Sequence, residues 1–153
     1  MIIRSEDTLT QLELRPSGVG GSVIVFAVAA AGPYARCTLD EVAFFRSDLQ
    51  RFCAEVERFL GTPVGTVTLR AKTPGGVELR LMSGGRLQRL ALQVELGWGH
   101  STRDLLMHDR LALTLAVTPT AVAEFAAELG AAVSLHLSQG VAVGAMEDRS
   151  AGR

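Results

Sequence analysis

The stretch from Thr66 to Leu96 reads TVTLRAKTPGGVELRLMSGGRLQRLALQVEL, and its alternation decides the fold. Val67, Leu69 and Ala71 share one parity, with Thr66, Thr68, Arg70 and Lys72 on the other. Val77, Leu79 and Leu81 then oppose Glu78 and Arg80, and Leu90, Leu92, Val94 and Leu96 oppose Arg89, Gln93 and Glu95. A period of two is the mark of half-buried strands. Parity also constrains the turns, because a one-residue slip would put a whole apolar set on the wrong face. The first two strands both carry odd residues inward, which requires an odd loop, and Thr73-Pro74-Gly75 fits a three-residue hairpin. The third strand carries even residues inward. An even loop is then required, and a two-residue Gly84-Gly85 turn would pair Leu79 with Leu90 and Val77 with Leu92. The segment is expected to be an antiparallel three-strand meander.

Upstream of the meander the pattern changes period. Val42, Phe45, Leu49, Phe52, Val56 and Phe59 recur every three or four residues, with Arg46, Asp48, Arg51, Glu55 and Arg58 off the stripe. This spacing predicts an amphipathic helix. Thr38 and Glu41 have capping-box spacing, with Asp40 an alternative cap, and Gly61 followed by Pro63 marks the end. Before the helix, Leu12 and Leu14 lie in a short strand that Pro16 to Gly21 is expected to break. Ser22 to Ala31 is apolar on both parities, as in a central strand covered on both faces or one running under the helices. Gly32-Pro33 is a turn, and Tyr34 to Leu39 a short strand.

Downstream of the meander, Gly97 to Asp109 reads as a polar, irregular loop. Leu111, Leu113, Leu115 and Val117 form a further strand. Thr118-Pro119 opens a second helix, with Val122, Phe125, Ala126 and Leu129 as its core face, and Gly130 ends or weakens it. Residues 140–153 read as a loose tail, and no internal repeat is evident. The expected fold class is α+β: one domain over 1–153, a mainly antiparallel sheet of six to seven strands, and two helices packed on one face.

Composition limits function further. A chain of 153 residues, 48% apolar and with a formal net charge of -1, can bury a core but has no global field to attract phosphate or an anionic bilayer. Lys72 is the only lysine, and the excess of arginine, alanine and glycine suggests a GC-rich bacterial genome. The opening residues lack the basic-then-apolar run of an export signal, and Val23 to Ala31 is too short to span a bilayer. The expectation is a cytoplasmic protein without membrane contact. Cys37 and Cys53 are expected to be free buried thiols.

No sequence element carries recognisable catalysis. Gly18, Gly20 and Gly21 precede a strand and not a helix, so they read as a turn and not a phosphate loop. No serine sits in a nucleophile-elbow motif, and His136, between two leucines, reads as an edge residue. Few aromatics, and no stacking pair on the sheet, argue against nucleic acid. The expectation is therefore no catalytic, cofactor or metal residues and no cofactor. The one concentration of polar chemistry is Trp98, His100, Arg103, Asp104, His108 and Asp109. Its ligand spacing forces no convergence on a metal. Trp98 either caps the sheet or anchors a partner, and Trp98, His100, Arg103 and Asp104 are the candidate partner-binding residues. Another protein, or a second copy of the chain, is the expected partner. A self-associating structural domain is one alternative, and a small enzyme built around His100 to Asp109 is another.

The order of landmarks resembles one protein family. The segment Leu39-Asp40-Glu41-Val42-Ala43-Phe44-Phe45 leads to Phe59-Leu60-Gly61, then Leu79-Arg80-Leu81, Leu90-Ala91-Leu92, a late strand and a closing short helix. Over residues 8–133 this layout resembles the WapI-type bacterial immunity proteins and related actinobacterial domains. The resemblance implies a non-enzymatic protein that binds and blocks a toxin domain, and it transfers no specific functional residue.

Overall fold

The computed structural model describes residues 1–72, 76–83, 89–102 and 105–147, with backbone only for 99–102, 105–108 and 136–147. It contains eight strands and two helices: β1 (Ile2–Arg4), β2 (Gln11–Gly20), β3 (Val23–Ala31), β4 (Arg36–Phe45), α1 (Arg46–Gly61), β5 (Thr66–Arg70), β6 (Val77–Ser83), β7 (Leu90–Thr102), β8 (Leu105–Val117) and α2 (Pro119–Glu147). The expected single sheet is instead two four-stranded antiparallel sheets, β1-β2-β3-β4 and β5-β6-β7-β8, each strand beside its neighbour in sequence. The α+β class and the antiparallel pairing hold.

The meander forms with its faces as the alternation requires. Val67, Leu69, Val77, Leu79, Leu81, Leu90, Leu92, Val94 and Leu96 are all buried. The first hairpin keeps the expected register, with Leu69 opposite Leu79, although Thr73-Pro74-Gly75 lies outside the described residues. The second hairpin differs. Leu79 faces Val94 and Leu81 faces Leu92, so the connection is longer than Gly84-Gly85, and residues 84–88 lie outside the description. Parity allowed only an even shift, which is why every inward residue still points inward.

The start of α1 is a second correction. β4 runs on to Phe45, and the helix begins at Arg46 with Phe45 as its N-cap and no side-chain cap bond. Thr38 and Glu41 are strand residues, not a capping box. The motif Val42-Ala43-Phe44-Phe45 satisfies both periods, and the strand wins. Val42 and Phe44 are buried, whereas Phe45 is 37% exposed. A bulge makes the extension possible: Phe26 pairs with Val42 but Val28 with Leu39, leaving Asp40 and Glu41 together opposite Ala27. Glu41 takes the left-handed conformation there, at φ 59°. From Leu49 to Phe59 the helical stripe is buried as its spacing requires. β2 is likewise longer than expected. A bulge at Ser17 carries it past Pro16 to Gly20, and Gly21, at φ 55°, closes the turn into β3.

At α2 the cap forms as the sequence indicates: the Ala121 N–H donates to Thr118 Oγ1 at 3.2 Å. Val122, Phe125, Ala126 and Leu129 are its buried residues, joined by Val133. The helix passes through Gly130 and takes in residues 140–147 of the expected tail.

The chain order contains a repeat that the residues do not show. A four-strand meander followed by a helix occurs twice, and equivalent contacts tie the halves together. The Glu6 N–H, two residues past β1, donates to the Ala116 carbonyl at 2.8 Å. The Lys72 N–H, two residues past β5, donates to the Ala43 carbonyl at 2.7 Å. Both acceptors stand three residues before their helix. α1 packs on α2 and on β5, and α2 packs on β1, so each helix reaches the first strand of the other half. The inner faces of both sheets and both helices share one core. A void of about 10 Å³, among Ile3, Phe52, Val56, Leu81, Leu92, Val122 and Phe125, marks where they meet.

Candidate functional site

The segment expected to be a polar loop is strand. β7 and β8 pair without interruption from Leu90 with Val117 to Thr102 with Leu105. β6 accompanies β7 only as far as Leu96, with one further bond from the Gly97 N–H to the Gly76 carbonyl at 2.6 Å. Beyond Gly97, among the described residues, β7 pairs with β8 alone, so residues 98–102 and 105–109 make a two-stranded arm projecting past the sheet.

Trp98 stands at the base of this arm, opposite Asp109, and is partly buried against the core. Its parity continues the inward set Leu92, Val94, Leu96, which explains why a tryptophan is tolerated there. His100 lies two residues further along, opposite Met107. Arg103 and Asp104, which follow Thr102 in the chain, lie outside the described residues. Sequence reasoning thus found the residues of the arm but took them for a loop. Glycines 97 and 99 and the polar run to Asp104 hide the pairing that the alternation of Leu111 to Val117 would have extended.

On the outer face of β5-β8 lies a set of ion pairs. Arg70 meets Glu78 at 3.1 Å and Arg80 meets Glu78 at 2.6 Å. Glu95 reaches Arg80 at 3.8 Å and Arg110 at 3.3 Å. Glu78 and Glu95 are direct cross-strand neighbours, and the arginines around them relieve a like-charge pairing that would otherwise destabilise the sheet. The hydrogen bond from Arg80, then that from Arg70, holds the Glu78 carboxyl below its usual range. Alternation places Arg70, Glu78, Arg80 and Glu95 on this wet face, while Arg110, between the expected loop and the expected strand, is not reached by it.

A groove of about 330 Å³ runs between the helices, lined by Cys53, Glu57, Leu60, Ala123, Ala127 and Gly130 among others. The Cys53 thiol donates to the Ala126 carbonyl at 3.5 Å. Burial pushes its pKa up and Glu57 adds to the shift, the reverse of what a nucleophilic thiolate needs. Cys37 and Cys53 are free and half-buried. Among the described residues, no three His, Cys, Asp or Glu side chains are grouped to hold a metal ion. Among the described residues, no helix is long and apolar enough to cross a membrane. No protein-family model, curated protein or solved structure matches the chain.

Proposed function

We propose that the chain is a protein-binding module whose contact element is the β7–β8 arm. The observation that carries this reading is the length of the arm beyond β6. A two-stranded ribbon is marginal in water without a third strand or a packed face, and its unpaired backbone groups are a template for an added strand. A partner that docks along it supplies what the chain's own sheet does not. The resemblance to WapI-type immunity proteins narrows the partner to a bacterial toxin domain. Partner recognition then falls to His100, Arg103 and Asp104, with Trp98 holding the base of the arm.

The test is a comparison of wild type with an Arg103→Ala/Asp104→Ala variant. Candidate toxin domains encoded beside the gene are titrated against both by calorimetry. The expected result is at least a tenfold loss of affinity, about 1.4 kcal/mol, at unchanged melting temperature. Equal affinities for a neighbouring partner would remove the arm from the interface. Trp98→Ala should additionally lower stability, because the ring packs on the core.

A further inference from the structure

The two sheets fill equivalent places in the repeat but turn different chemistry outward. On β5-β8 the outer face is the charged network described above. On β1-β4 an apolar stripe along β3 lies between polar and charged residues of β2 and β4. β3 presents Val23, Val25, Ala27, Ala29 and Ala31, all half-buried, while Ile24, Phe26, Val28 and Ala30 fill the core. Phe45, paired with Val23, and Ile2, paired with Glu13, extend the face and are 37% and 43% exposed. The fold does not require this, since β7 in the equivalent position carries Gln93 and Glu95 outward.

The charges that flank the apolar stripe say what covers it. Arg15 on β2 stands beside Ala27, and on the other side of Ala27 the bulge places Asp40 and Glu41 together. Arg15 is exposed, held at present only by its strand neighbour Glu13 at 2.7 Å. One rung therefore runs cation, alanine, two carboxylates. A second copy laid face to face, related by a twofold axis along β3, brings each Arg15 opposite the other copy's Asp40 and Glu41. The same operation sets Glu13 across from Thr38 and Gln11 across from Arg36, with no like-charge pair. Alanines at the centre let the sheets approach to the usual spacing of about 10 Å. Packing this stripe on the charged sheet of a neighbour would bury ions against alanine, which disfavours an open chain of copies.

From these observations we infer that the outer face of β1-β4 is a self-complementary surface that pairs two copies of the chain. It is separate from the β7–β8 arm and stands whether or not the arm binds a toxin domain. Under that axis β2, β3 and β4 overlap and β1 meets no opposite strand, so three strands at about 4.8 Å and nine residues at about 3.3 Å give a face on the order of 400 Å² per copy. That is at the small end for specific association, so the dimer is weak and concentration-dependent.

Sedimentation velocity from about 1 µM to about 1 mM tests this, spanning the range where an interface of that size associates. The wild type should pass from monomer to dimer, and should stop at dimer. Arg15→Glu and, separately, Asp40→Arg/Glu41→Arg should each shift the midpoint at least tenfold higher, with unchanged melting temperature. Mixing these two variants makes both rungs complementary again and should restore wild-type association as a heterodimer. A wild type that stays monomeric throughout overturns the inference. So does a dimer indifferent to both charge reversals, or a mixture that associates no better than its components.

Discussion

Phe44 and Phe45 are adjacent, chemically identical and opposite in fate. Phe44 is fully buried and meets Phe26 edge-on, with ring centroids 5.8 Å apart, whereas Phe45 is exposed and lies under the Lys72 ammonium at 5.4 Å. The helical spacing in the sequence chose Phe45 as the inward ring, because nothing in four residues distinguishes a strand ending in Val-Ala-Phe-Phe from the first turn of a helix. The deciding fact is long-range: β3 needs a partner along its whole length, and only β4 extended to Phe45 supplies it. Truncation separates the two readings. Phe44→Ala should cost about 3–5 kcal/mol, as should Phe52→Ala in α1, while Phe45→Ala should cost under about 1 kcal/mol. Chemical denaturation of the three variants measures this directly, and a larger loss at Phe45 than at Phe44 would return the helix start to Asp40.

At the scale of elements, the strands with polar outer faces were legible and the apolar ones were not. β5, β6 and β7 up to Leu96 alternate so cleanly that faces and pairing order follow from residue types, and β8 is legible as a strand from Leu111 on. β3 has no polar parity, and its outward alanines and valines imitate a strand covered on both sides. The charged face of β5-β8 gives that sheet a pH response. Glu78 is held below its ordinary value of 4.5 in the folded protein, chiefly by Arg80 and then by Arg70. Between the folded and unfolded values the unfolded chain binds more protons, so the contribution is complete above about 4.5 and is lost as the pH falls through the lower, folded value. Glu78 is mostly solvent-screened, which keeps the effect modest. Melting temperatures followed from about pH 6 to about pH 3 should therefore fall less steeply in Glu78→Gln than in the wild type. Identical acid limbs would show that the arginines hold the carboxylate equally well in the unfolded chain.

Across the whole molecule, the repeated meander-and-helix unit is the feature that residue patterns least reveal. Its two copies share spacing at the seams but little composition: the third strand turns valine and alanine outward in one half and glutamine and glutamate in the other. Topology survives such divergence because each unit needs only an inward parity and a helix to cross over. The crossing makes the halves mutually dependent. A chain divided in the connector between Gly61 and Thr66, giving 1–63 and 64–153, leaves β1 without α2 and α1 without β5. Neither piece should melt cooperatively by itself: 1–63 is near the size at which a single core is marginal, and 64–153 lacks the α1 and β1 that pack on its β5 and α2. The two mixed in equal amounts should recover a single cooperative transition, readable by circular dichroism. Full cooperativity in either fragment alone would mean the helices matter less to the opposite half than their packing indicates.

The same crossing sets a timetable for the chain as it is synthesised. Strands that pair with their sequence neighbours can zip as they emerge, and α1 finds β5 within a few residues of its own end. Ile3 does not have that advantage. Its cover includes Val122 and Phe125, which leave the ribosome about 120 residues later, on the order of ten seconds at ordinary elongation rates. Until then the inner face of the first sheet lacks part of its cover, so chaperones and proteases should find the nascent chain most accessible at β1, and the docking of α2 should end that exposure.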